Sequence, residues 1–176
     1  MIGIINNRDD KLKSNLANHV DNFGKIYIRI RIDNSSSLGY AINLTLKFSS
    51  DSYDYLRIIK EELGKVGEYH EIKTKVTITT TKFELSICSS YVIKQILNPL
   101  LPLIVKNQEN VFKALEIITL LEKFKKSDPK NLNLFLQVCA LVDQYRKSSN
   151  RPRCHHTEKK VRQHLKLKEI CEIKVV

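Results

Sequence analysis

Three sets of residues in this 176-residue chain have types and spacings that bear on chemistry. The first is "CHH" at Cys154, His155 and His156, with His164 close behind. These are zinc-type ligands, but adjacent ligands crowd a tetrahedral centre and no second pair stands at finger spacing, so they read as loop residues and no metal is assigned. The second is His19, which no Ser or Cys nucleophile pattern accompanies; it reads as a packed or interface histidine. The third is a set of cations and amides. Lys25, Tyr27, Arg29 and Arg31 occupy every second position of one segment, Asn43, Thr45 and Lys47 do so in another, and Lys73, Lys75 and Thr77 in a third. A last cluster, Arg146, Lys147, Arg151, Arg153, Lys159, Lys160, Arg162, Lys166 and Lys168, faces a single Glu158. Such density suits phosphate neutralisation and steep salt dependence.

Composition agrees with the third set. Thirty Lys and Arg against nineteen Asp and Glu leave a net charge of +11, an excess that favours a polyanionic partner. Cys88, Cys139, Cys154 and Cys171 are widely spaced and form no CxxC pair, which suggests neither a zinc ribbon nor a disulfide framework and fits a reducing compartment. No apolar run approaches the ~20 residues that cross a bilayer, so no membrane partner is expected. The N-terminus lacks the pattern of a signal or transit peptide. Usage rich in Ile, Lys, Asn and Ser is what an AT-rich gene gives and permits synthesis in an organelle, mitochondrion or chloroplast.

The elements that must position these residues follow from periodicity. A helix is predicted over about 10–22, with Leu12, Leu16, Ala17 and Val20 on one face and Asp9 or Asp10 as cap. It stops at Gly24. Ile26, Ile28, Ile30 and Ile32 then alternate with the basic set, and Ile42, Leu44, Leu46 and Phe48 follow the turn "NSSSLG", so the two strands form a hairpin. A helix from about Ser52 is closed by Gly64, a second hairpin ends with Phe83, Leu85 and Ile87, and a helix from Ser90 ends before Pro99. Helical stripes continue through Val111, Ala114, Leu115, Ile118 and Leu121, then Phe135, Val138, Cys139, Leu141, Val142 and Tyr145, and a last helix is capped by Thr157. The fold class is α+β: an αββαββα unit with a four-stranded antiparallel sheet. Residues 1–126 form this core with its following helix, and 127–176 form a basic helical extension of the same domain. No internal repeat is present, so a symmetric site requires dimerisation.

This order, with "LANHVDNFG" joining the first helix to a basic strand, resembles the LAGLIDADG homing endonucleases, in particular their small homodimeric branch. "LNPLLPLIVKNQENVFKALEII", "FLQVCALVDQYRKS" and "HTEKKVRQHL" resemble that branch's later helices. The resemblance implies a nucleic-acid-binding saddle whose solvated sheet face enters the major groove. It also implies two motif helices packed side by side, and divalent metal ions held by the last acidic residue of each motif. That position is Phe23 here, and a phenyl ring cannot ligate Mg²⁺. The family's contact glycines become Asn18 and Asn22, and Leu16 and His19 complete the implied dimer interface. Asp21 survives at the first acidic position, where it serves the turn. The polar residue ending the second strand falls near Ser50, and the lysine before the fourth helix falls on Ile104, with Lys106 two residues on.

These departures lead to the expectation of a protein that is not an enzyme: a degenerate former active site at Asp21, Phe23, Ser50 and Ile104, with no catalytic residue, cofactor or metal. A homodimer is expected, its two Phe23 rings meeting as an apolar plug. Lys106 joins the binding set. RNA is favoured over DNA on the argument that binding structured RNA is useful once cleavage is lost, most simply in an organellar ribosome beside other ribosomal proteins. A group I intron maturase and a still-active DNA endonuclease with ligands from Glu84 or Asp51 are the alternatives.

Overall fold

The computed structural model describes residues 3–66, 74–78, 83–127, 131–149 and 155–173, with side chains at 9–66, 83–127, 131–149 and 155–166. The elements run α1 (Gly3–Phe23), β1 (Gly24–Ile32), β2 (Tyr40–Ser50), α2 (Tyr53–Val66), β3 (Thr74–Ile78), β4 (Phe83–Ile87), α3 (Ser90–Leu100), a 3-10 turn (Leu101–Leu103), α4 (Gln108–Lys126), α5 (Leu132–Ser148) and α6 (Glu158–Ile173). The four strands form one sheet in the order β1-β2-β4-β3. The αββαββα order is the one expected. β4 pairs antiparallel with both neighbours, Lys47 opposite Ser86 on one side and Lys75 opposite Ser86 on the other.

Contacts divide the chain into two compact units, 1–27 with 44–115 and 28–43 with 116–176. The first has a core of Leu16, Ala17 and Val20 from α1, Leu46 and Phe48 from β2, Leu56, Ile59 and Leu63 from α2, Leu85 and Ile87 from β4, and Ile93, Ile96, Leu97 and Leu100 from α3. Here α1 packs on α2, α3 and the 3-10 turn, and α2 packs on β4. The second unit buries Ile28, Ile30, Tyr40 and Ile42 from the hairpin, and Phe135, Val138, Cys139, Val142 and Tyr145 from α5, which packs on α6. Each of these larger apolar side chains contributes on the order of 1.5–3 kcal/mol when fully buried.

Several boundaries differ from the sequence reading. Helix α1 begins at Gly3 and carries Asp9 and Asp10 inside it, because nothing between Gly3 and Asp10 breaks a helix. Gly64 lies within α2: its φ is not positive, and the buried Leu56, Ile59 and Leu63 hold the helix past it to Val66. Pro99 lies within the last turn of α3, where its ring withholds a bond only from the carbonyl of the exposed Gln95. Ile32, expected on the covered side of β1, is 54% exposed at the strand's end. The hairpin turn is closed by Gly39 at φ 71°, a left-handed conformation that glycine takes without penalty, with Asp33 N–H donating to its carbonyl at 2.9 Å.

Candidate nucleic-acid interface

The strand β1 sorts its side chains by face. Ile26, Ile28 and Ile30 are buried, Lys25, Arg29 and Arg31 are exposed, and Tyr27 is half-buried. In β2, Asn43 is exposed and Thr45 and Lys47 are half-buried between buried Leu44, Leu46 and Phe48. Arg31 and Lys47 pair with acidic side chains. Arg31 reaches Asp33 at 3.3 Å, and Lys47 donates to Glu84 of β4 at 2.8 Å while its ammonium stands 5.7 Å from the Tyr27 ring centroid. Thr45 Oγ1 is 3.8 Å from Cys88 Sγ. Lys73, Arg151 and Arg153 lie outside the described residues, as does the side chain of Lys75.

At the end of α1 the resembled active-site positions form a pin. Both carboxylate oxygens of Asp21 accept backbone N–H groups, from Val105 at 2.7 Å, Lys106 at 3.1 Å and Asn107 at 2.9 Å, and Asn107 Nδ2 donates to the Asp21 carbonyl at 2.8 Å. Burial opposes ionisation of Asp21, but these three donors and the Lys106 ammonium outweigh it and hold its carboxyl below the ordinary value. The pin fixes the entry to α4, where Val111 N–H donates to the Asn107 carbonyl at 2.9 Å. Lys106 Nζ turns back to Asn22 Oδ1 at 2.6 Å, and Ile104 is buried. Ser50 Oγ accepts from Ser52 N–H at 3.1 Å. Asp21 is thus an acceptor for the backbone that leads into α4.

Of the residues expected between two chains, Leu16 is buried within its own. Asn18 and Asn22 are exposed and pair along one helix, Asn22 Nδ2 donating to Asn18 Oδ1 at 2.6 Å. His19 Nδ1 shares a hydrogen bond with Tyr55 OH at 2.7 Å, and the Phe23 ring, 49% exposed, meets the Tyr55 ring edge-on with centroids 5.6 Å apart. Burial and then the Glu62 charge push the Tyr55 hydroxyl up.

The second unit places the other basic set. Lys147, Lys159, Lys160, Arg162 and Lys166 are exposed, with Arg162 paired to Glu158 at 2.7 Å and Lys160 Nζ donating to the His155 carbonyl at 3.2 Å. Arg146 departs from expectation, being only 9% exposed. It lies four residues after Val142, on the stripe that α5 turns inward, and that spacing is the signal that could have placed it. Of the "CHH" residues Cys154 lies outside the described residues and His155 and His156 are in the loop before α6; the His156 ring meets Tyr40 edge-on, and His164 Nδ1 shares a 2.6 Å hydrogen bond with the Tyr40 hydroxyl. Sequence reasoning missed this cluster because Tyr40 ends a turn far away in the chain. Cys139 is a buried thiol pushed up to about 12 by burial and by Asp143 and Glu158, hence unreactive.

No family model and no curated protein sequence matches the chain. Solved structures do. The homing endonuclease I-CvuI in complex with the I-CreI target matches at TM-score 0.76 and 19% identity, over 90% of this chain and 95% of that one. The archaeal intron-encoded homing endonuclease I-Vdi141I complexed with DNA matches at 0.76 and 12%, over 92% and 99%. The LAGLIDADG meganuclease I-CpaMI bound to uncleaved DNA matches at 0.60 and 13%, over 81% and 50%. These neighbours overturn the expectation that the protein is not an enzyme: they are homing endonucleases, and the identity of residue 23 does not show that a catalytic group is missing. A phenylalanine removes a ligand type from one helix end, whereas Asp51 and Glu84 remain at the surface of the same unit. The chain thus has the fold of the LAGLIDADG homing endonucleases.

Proposed function

We propose that the protein binds double-helical nucleic acid through the solvated side of its strands. The observation that carries this reading is the sorting of β1, which buries Ile26, Ile28 and Ile30 and exposes Lys25, Arg29 and Arg31. The net charge of +11 supports it, since only a polyanion gains from that excess. DNA is the favoured duplex, because solved neighbours of this fold include complexes with DNA. An RNA duplex, and with it a place in an organellar ribosome, is the other outcome of the test. One αββαββα unit per chain supports a homodimer as the binding form.

The test is equilibrium binding of random-sequence DNA and RNA duplexes from 50 to 200 mM salt. Log K should fall linearly with log salt, and Lys25→Ala and Arg29→Ala should each lower the slope by about 0.9 if each contacts one phosphate. Preference for duplex RNA would move the partner to RNA. Heparin competing as well as either duplex would overturn the reading. Cleavage is followed in the same reactions with Mg²⁺, and cutting that a chelator abolishes would add endonuclease activity to binding.

A further inference from the structure

The proposed binding face carries a carboxylate, which a polyanion should repel. Glu84 lies on β4 opposite Ser49, diagonal to Lys47 on β2, so both side chains leave the same side of the sheet. Their ion pair is 2.8 Å long, and the two side chains are 27% and 23% exposed, neither sunk in the core nor free in solvent. Among the described residues Lys47 is the one hydrogen-bond partner of the Glu84 carboxylate, through Oε2, which leaves Oε1 as an acceptor. The Tyr27 ring beside the ammonium limits where Lys47 can turn.

An acceptor on such a face has few donors to meet. Phosphates offer none, and in the major groove the donors are the N4 amino group of cytosine and the N6 amino group of adenine. Resting on the reading above, we infer that Lys47 and Glu84 together read one G·C base pair. The ammonium donates to guanine O6 and N7, and the carboxylate accepts from cytosine N4. The fit is one of spacing as well as of sign. Guanine O6 and cytosine N4 are hydrogen-bonded to each other within the pair, so a reader needs a donor and an acceptor at hydrogen-bond separation, which is how Lys47 and Glu84 are held. An A·T pair also sets a donor beside an acceptor. There the ammonium meets a single acceptor, thymine O4, next to an apolar methyl, whereas guanine offers two acceptors together. The ion pair also explains how a carboxylate is tolerated opposite phosphates: Lys47 neutralises it until a base replaces part of that contact.

Selection from a randomised DNA duplex library tests the assignment, using the full chain, Glu84→Gln and Lys47→Met. The unaltered protein should enrich a site in which one position is G·C, preferred roughly tenfold. Glu84→Gln should move that position to A·T, because a glutamine amide suits adenine N6 and N7, and leave the rest of the site as it was. Lys47→Met, which leaves Glu84 without its counter-ion, should lose the preference there. Identical sites for the protein and Glu84→Gln would overturn the assignment while leaving duplex binding intact. Enrichment of no DNA duplex would overturn the binding of DNA, and the assignment with it.

Discussion

The two oxygens of Asp21 are spent on the backbone of a segment 84 to 86 residues further along the chain. Alanine there leaves three backbone N–H groups, two of them exposed, without their carboxylate acceptor, and Asp21→Ala is expected to cost about 1 kcal/mol, read as a lower urea midpoint. The pH dependence has a definite sign. The carboxyl is held below its unfolded value of about 3.9, so its contribution is complete above roughly pH 5 and is lost as pH falls through the depressed folded value. The gap in stability between the protein and Asp21→Ala should therefore be constant near neutrality and close in strong acid. A gap that persists in acid, or none at pH 7, would mean that the pin contributes nothing. At Gly24 the same helix end turns into β1, and a Cβ would stand 2.7 Å from the Val20 carbonyl oxygen, so this glycine answers a close approach of backbone.

At the scale of elements, α6 depends on a neighbour for its start. The Glu158 N–H donates to the Asp143 carboxylate on α5 at 2.8 Å, and the Lys160 N–H reaches Thr157 Oγ1 at 3.4 Å. Thr157 was legible as a cap from "TEKK"; Asp143 was not, because its distance in sequence says nothing of how α5 and α6 meet. Asp143→Ala should cost about 1 kcal/mol and show itself in hydrogen exchange as lost protection in the first turns of α6, with α5 unchanged. Equal loss in both helices would mean that Asp143 supports the α5–α6 packing as a whole. The contrast is general in this chain. Period-2 alternation in 26–31 and 42–48 and period-3.6 stripes in α4 and α5 reveal faces, since a face is a local property. Lys47 against Glu84, Tyr40 against His164 and Asp21 against 105–107 depend on register and packing, which no local pattern carries. Arg146 lies between these cases: its helical phase was legible, but its charge drew it to the surface in the reading.

At the scale of the molecule, the question is what a second copy would meet. Helix α1 spends Leu16, Ala17 and Val20 on its own chain, and its remaining stripe, Lys11, Ser14, Asn15, Asn18 and Asn22, is exposed and polar. A self-contact along α1 therefore has little apolar area except at its end, where Phe23 leaves about half its ring uncovered. Two such rings closing on each other would contribute on the order of 1 kcal/mol each. Phe23→Asp replaces that gain with two like charges at close range, and the dimer dissociation constant should rise about tenfold or more, followed by sedimentation velocity over a concentration series. The variant's urea midpoint should stay near that of the parent, because residue 23 is outside the core. An equal or tighter dimer would show that the rings do not meet, and a parent that stays monomeric at every concentration would remove the homodimer itself. The same series with Mg²⁺ and with a chelator separates two causes of an altered dimer. Repulsion between carboxylates weakens it in both, whereas carboxylates that converge on one point bind a hard cation between them, so association recovers only when Mg²⁺ is present.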